Sequence, residues 1–311
     1  MGLMLAKDGS VLRKNETLEK PITKWSYLIG LIVICFSIFS QYIIGDLGAI
    51  AQIIVVYGIP VITVSLLWGK SIIRRANNHV FSAIKFGLGM FGVFMDLAII
   101  ITVVILIALL ALDPAAIDLL NRPNPLLQIP PEAAWTMVLV SFLVVGPVEE
   151  YLFRGFVFGG MLAIFKNRHW LVLAFASSVL FAAVHLYYGL VYGVASLVLF
   201  TNLVAFGMAM AATYYLSGGN LLIPTLIHGV YDATGFLTVA ISVETGIFLR
   251  EVMLGICTFV AIGLFVQTVL QKRRVQIQKW QLKFCIYCGQ RMPGDALYCP
   301  NCGRKQEWNT Q

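Results

Sequence analysis

Three short stretches of this 311-residue chain set ionisable side chains among apolar neighbours. Gly146–Gly155 reads GPVEEYLFRG and carries Glu149, Glu150 and Arg154. FAAVHL carries His185, with Phe181 ahead of it, and LIHGVYDATG carries His228 and Asp232. A charge at the centre of a bilayer costs about 2.5–3.5 kcal/mol on insertion scales, so these groups need partners, water or a function. Carboxylates beside imidazoles, where water is scarce, are the equipment of proton transfer.

Spacing says which of them can meet. Glu150 and Arg154 are four apart, share a helix face and can pair. Glu149 is rotated by about 100° from Glu150, so it points elsewhere. His228 and Asp232 also share a face, and Phe181 lies one helical turn before His185. From 149 to 166 and from 168 to 185 the separation is 17 residues, which puts Glu149 and His185 at matching heights, about 25 Å from a shared basic boundary. Singly, each has an ordinary reading: Glu150 and Arg154 neutralise each other, each histidine bonds between helices, and Asp232 orients His228. Jointly, those readings leave Glu149 unpartnered and treat several polar groups on three spans as independent accidents. A functional site is the more economical reading.

The elements that must position them are membrane helices. The chain is 59% hydrophobic and 12% charged, with a mean hydropathy of +0.85, whereas soluble domains carry about 25% charged residues. Eight apolar windows are long enough to span a bilayer: 25–44, 47–68, 87–112, 133–165, 170–188, 190–216, 221–241 and 246–270. The expected fold class is therefore an all-α polytopic membrane protein. The fourth window is too long for one straight span and must tilt, break near Gly146–Pro147 or continue into the cytosol. Every second loop is basic: the N-terminal segment, then Lys70, Arg74 and Arg75, then Lys166 and Arg168, then QKRRVQIQKWQLK. The loops between hold Asp46, the stretch DPAAIDLLNRPNPLLQIPPE and Glu244. Both termini are thus expected in the cytosol. Residues 1–24 form a cytosolic segment with no apolar core of a cleavable signal. The net charge of +7 sits in loops facing anionic headgroups, so membrane lipids and not nucleic acid are the expected partners. Asp96 lies deep in the third window with no evident partner.

Past a basic linker, 271–284, the composition changes. Cys285, Cys288, Cys299 and Cys302 form C-x2-C-x10-C-x2-C within 285–305. Two such knuckles supply the four soft ligands of a tetrahedral structural zinc, and the sequence resembles small prokaryotic zinc ribbons; a disulfide pair is the competing reading, disfavoured by the reducing cytosol expected for this tail. So short a module needs the metal in order to fold. Gly289 and Gly303 follow the knuckles, where positive φ turns amides toward the thiolates. Cys35 and Cys257 read as packing residues.

The ordered set EEYLFR, FAAVH and HGVYD resembles the CPBP family of intramembrane endopeptidases, the CAAX-protease and bacteriocin-processing group, over about residues 130–240. The resemblance implies hydrolysis of a peptide bond in a membrane-associated or lipidated substrate; the expected location is the plasma membrane of a prokaryote. By it, Glu149 and His185 activate water, His228 and Asp232 stabilise the oxyanion or complete the site, and Glu150, Arg154 and Phe181 support it. Many relatives carry Asn where this chain has Asp232, and an ionised Asp cannot donate. Two routes stay open: metal-free catalysis, or a zinc held by Glu149, His185 and His228. Competing functions are a non-proteolytic membrane scaffold and a transporter or proton relay. The ribbon could recruit a protein partner.

Overall fold

The computed structural model describes residues 22–40, 51, 53–114, 118–119, 122–124, 127–186, 188–280, 283–293 and 296–306. Residues 1–21 of the N-terminal segment, the Asp46 loop and the side chains of 272–280 lie outside that description. The fold is all-α, with eight main helices among the described residues. They are α1 (Lys24–Ser40), α2 (Ile54–Ile73), α3 (Val80–Leu112), α4 (Pro131–Ile164), α5 (Trp170–Ala183), α6 (Ser196–Leu216), α7 (Leu222–Ala240) and α8 (Val243–Trp280). Each falls on one of the eight expected windows, although α8 continues through the basic stretch to Trp280. The chain divides into two compact units, residues 1–260 and 261–311.

Among the described residues, five helices are long and apolar enough to cross a membrane: α2, α3, α4, the 189–216 segment ending in α6, and α8; α1 and α5 are shorter apolar helices. Leu66, Leu139, Leu143 and Phe259 stand exposed on the outside of the first unit. An apolar exterior of this kind suits lipid and not water, and the chain is an integral membrane protein.

Two prolines in mid-helix explain a local departure from α geometry. Pro60 and Pro147 have no N–H, and each ring would collide with the carbonyl four residues earlier. Two residues ahead of each, the helix is π: Ile54–Gly58 in α2 and Ser141–Val145 in α4. There Ile59 N–H bonds Ile54 O and Gly146 N–H bonds Ser141 O, across five residues instead of four. The wider turn absorbs the proline without breaking the helix, so α4 runs unbroken through Gly146–Pro147. A second π stretch, Glu150–Phe158, follows the short α turn Gly146–Glu149 and carries Glu150 and Arg154.

Close helix contacts fix the site. A Cβ on Gly229 of α7 would lie 2.7 Å from Phe142 Cδ1 and 3.1 Å from Phe142 Cα on α4. A Cβ on Gly146 of α4 would lie 2.9 Å from Thr225 O of α7. The two helices that carry Glu149 and His228 therefore meet backbone to backbone, as small residues allow in membranes. The turns 74–79 and 217–221 are tied together as well. Leu221 and Leu222 N–H both donate to Ala76 O (2.9 and 3.1 Å), and Asn220 Nδ2 donates to Asn78 O at 2.6 Å. Asn78 Nδ2 returns a bond to Gly218 O at 3.4 Å, and Asn220 Oδ1 caps α7 by accepting from Ile223 N–H at 3.0 Å. Asp96, unexplained in the sequence, accepts from Thr258 Oγ1 on α8 (2.9 and 3.0 Å).

The second unit holds the strands β1 (Lys283–Phe284) and β2 (Arg291–Met292), paired antiparallel. Its four cysteine sulfurs all lie within 4.8 Å of one another. Cys285–Cys302 and Cys288–Cys299 are 3.7 and 3.6 Å apart, near the edge of about 3.8 Å expected of a tetrahedral zinc–thiolate centre. The two knuckles repeat one geometry: Gly289 N–H bonds Cys285 O and Gly303 N–H bonds Cys299 O, with φ of 70° and 68°. Burial opposes ionisation of Cys285, but amides of Cys288 and Tyr287 directed at its sulfur draw the thiol down to about 6, ready to ligate.

The α4–α7 contact yields a paired test. Gly229→Ala must push Phe142 aside and should destabilise the purified protein by about 1–3 kcal/mol. Gly255→Ala on α8, where a Cβ meets nothing within 4 Å, should be neutral or slightly stabilising. Thermal midpoints in one detergent check both.

Candidate active site

The buried guanidinium of Arg154, 1% exposed, is the first constraint. Its Nη1 lies 2.8 Å from Glu150 Oε1, one turn back on α4. Its Cζ stands over the faces of Phe181 (4.5 Å) and Phe206 (5.9 Å), so two aromatic rings complete its surroundings. Glu150, fully buried, also contacts His228: its Oε1 lies 2.8 Å from Nδ1. A carboxylate held by a guanidinium is an acceptor, so Nδ1 carries the proton of this bond. That leaves Nε2 as the nitrogen facing the rest of the cluster.

On that side lie two more carboxylates. Glu149 Oε2 is 3.7 Å from Nε2, and Asp232 Oδ2, one turn along α7, is 3.4 Å away. Glu149 is 9% exposed, and its other oxygen accepts from Tyr57 Oη at 3.3 Å. Tyr57 comes from the π turn of α2, just ahead of Pro60. The adjacent glutamates thus take opposite sides of one imidazole, which the 100° rotation between them makes possible. Three carboxylates thus stand against one fixed guanidinium and one imidazole.

His185 enters from another direction. The sequence places it late in a helix, whereas α5 ends at Ala183 and His185 lies in the turn that follows. Its Nδ1 pairs with Phe181 O at 2.9 Å, and its ring packs against Phe181 with centroids 5.0 Å apart. The same Phe181 ring meets His228 edge-on at 6.2 Å and so links the two histidines. His185 also walls an otherwise largely apolar cavity of about 210 Å³ with Leu186, Leu197, Phe200 and Leu203. Glu149 Oε2 and His228 Nε2 stand 3.7 Å apart.

Glu149, Glu150, Arg154, Phe181, His228 and Asp232 are therefore brought together, with His185 joined through Phe181. Two assignments change. Glu150 does more than neutralise Arg154, because it holds the orienting bond to His228 expected of Asp232. Asp232 instead flanks the nitrogen that faces Glu149. Two residues were missed: Tyr57, whose only signal is a phenol inside an apolar span ahead of a proline, and Phe206, which packs on His228 at 4.8 Å and reads as core.

Glu150→Ala should strand the buried Arg154 and destabilise the protein by about 3–5 kcal/mol. Glu149→Ala, whose partners are neutral or more distant, should cost far less. Chemical denaturation of the two variants in detergent measures the difference. Against known proteins, residues 131–234 match the family model described as Type II CAAX prenyl endopeptidase Rce1-like. No curated protein matches the chain significantly, and no solved structure does. The matched stretch contains every charged residue of the cluster while leaving out Tyr57, and what it supports is a CAAX-type intramembrane protease. Glu149, Glu150, Arg154, His228 and Asp232, gathered around one imidazole, thus all lie within the stretch that is similar to the Rce1-like type II CAAX prenyl endopeptidase model.

Proposed function

We propose that this chain hydrolyses a peptide bond in a membrane-associated or lipidated protein or peptide, using water activated by Glu149 and histidine with no metal in the reaction. The observation that carries this reading is the division of roles around His228. Glu150, locked by Arg154, holds Nδ1 at 2.8 Å, while Glu149 waits 3.7 Å from Nε2. One water can touch both of those atoms. Tyr57 occupies Glu149 Oε1, which leaves Oε2 as the basic oxygen. Glu149 takes a proton from the water as its oxygen adds to the scissile carbonyl, and the carbonyl electron pair moves onto its oxygen. In the doubly protonated ring, His228 donates through Nδ1 to Glu150 and through Nε2 toward that oxyanion. The tetrahedral adduct collapses, the C–N bond breaks, and the leaving amine takes its proton from Glu149. Asp232 flanks Nε2 at 3.4 Å and adds negative charge beside the doubly protonated ring, and His185, beyond Phe181, assists the water.

The wider assignment follows from the loops. We infer residence in a prokaryotic plasma membrane with both termini in the cytosol, from the alternation of basic and acidic connections. The four-cysteine cluster is assigned a structural zinc, since its sulfur spacing fits that ion and all four positions are protein ligands.

Glu149→Gln should fold normally and lose about 10²–10⁴-fold in peptide hydrolysis. The assay is full-length protein in nanodiscs with a prenylated CAAX peptide, beside profiling of membrane-protein termini in cells. Activity within about tenfold of wild type would sink the mechanism, and unchanged termini in cells would favour a scaffold. Metal analysis should find about one zinc per chain. Replacing Cys285 and Cys288 by Ser should remove that zinc while hydrolysis persists. Hydrolysis that then still required added zinc would favour the metal route.

A further inference from the structure

Away from the charged cluster, a second cavity of about 170 Å³ opens where α2, α4 and α6 end. Trp68, Leu162, Lys166, Tyr214, Gly219 and Arg75 line it. Its charged groups are both cations, Arg75 and Lys166, and two phenols stand beside them. Arg75 Nη2 is buried and has no hydrogen-bond partner among the described residues. Leaving a buried donor unmade is costly, more so when the donor is charged. Capping of the nearby helix ends therefore does not account for this side chain.

The arginine is held in place by built features. Its guanidinium lies 5.8 Å from the centre of the Trp68 ring. Its stem crosses Gly219, where a Cβ would come within 3.1 Å of Arg75 Cβ and 3.2 Å of Cδ. Gly219 has φ of +94°, so glycine is required there both by the backbone and by the arginine above it. Arg75 and Gly219 also belong to the two turns lashed together through Ala76, Asn78, Gly218 and Asn220. The platform is rigid, and its unmet need is an anion.

From this geometry we propose that the Arg75–Lys166 cavity binds a phosphate group. A planar guanidinium with a spare donor, an ammonium and phenolic hydroxyls match the several acceptor oxygens of a tetrahedral anion. The space is several times the share of one water, about 30 Å³, and accommodates the group with its ester carbons. Two sources share that chemistry: the headgroup of an anionic lipid, which lies at this level of a membrane helix, or free phosphate. The site is independent of peptide hydrolysis.

The test uses the full chain with Arg75→Met and Lys166→Met, and Arg74→Met as control. Arg74 is exposed on the same turn and does not line the cavity. In one arm the protein sits in phosphatidylcholine nanodiscs with increasing phosphatidic acid, and retained lipid is read by native mass spectrometry. In the other, inorganic phosphate is titrated in detergent against the thermal midpoint. Wild type should retain phosphatidic acid. Each cavity variant should lose about tenfold or more of the apparent affinity, with the Arg74 variant within about twofold of wild type. Retention in the lipid arm alone identifies a headgroup, and protection by phosphate as well identifies the free anion; either upholds the site. Equal losses in the Arg74 and Arg75 variants, or no dependence on Arg75 in either arm, would overturn it. The exposed Lys166 keeps the test valid if Arg75→Met folds poorly.

Discussion

A guanidinium that cannot shed its charge sits fully enclosed among apolar helices, and the arrangement of the polar side chains follows from it. Arg154 requires a carboxylate, and Glu150 answers at 2.8 Å. Phe181 and Phe206 supply the negative faces of their rings on its other side. Glu150, so fixed, has an oxygen in the right place to hold His228 Nδ1, and the imidazole loses its freedom to turn over. Only then does Nε2 have a defined direction, with Glu149 and Asp232 ahead of it. The ion pair is thus a positioning device for the groups one step further out. Such a pair adds little net stability in a dry interior, since desolvation offsets most of the attraction. Its contribution is geometric.

The second recurring device is the proline preceded by a π turn. In α2 it stands beside Tyr57, and in α4 beside Glu149. Each wide turn shifts the side chains downstream relative to those upstream, in a way an uninterrupted α-helix would not. The phenol and the carboxylate that meet at 3.3 Å are both delivered next to such a shift. Irregular backbone of this kind is tolerated in a membrane span because its hydrogen bonds are still made within the helix.

Much of this was legible in the sequence wherever the determining interaction is local. The apolar windows gave eight helices because length and hydropathy are one-dimensional properties. The pairs Glu150–Arg154 and His228–Asp232 followed from helical spacing, and the cysteine cluster from ligand chemistry that recurs within a few residues. What was hidden depends on contacts between helices. That Glu150, and not Asp232, would orient His228 requires knowing how α4 and α7 pack, which Gly146 and Gly229 decide through atoms they lack. Tyr57 was hidden for a similar reason: nothing along the chain ties the second span to the fourth. His185 was recognised by type, but the end of α5 two residues ahead of it placed it in a turn.

The lashing between the turns 74–79 and 217–221 has a mechanical consequence. Through Ala76 and Asn78 the end of α2 is bolted to the start of α7. One of these helices bears Tyr57 and the other His228. Neither can slide along its own axis without dragging its neighbour, so the phenol that steadies Glu149 and the imidazole opposite keep their relative height as the surrounding lipid thickens or thins.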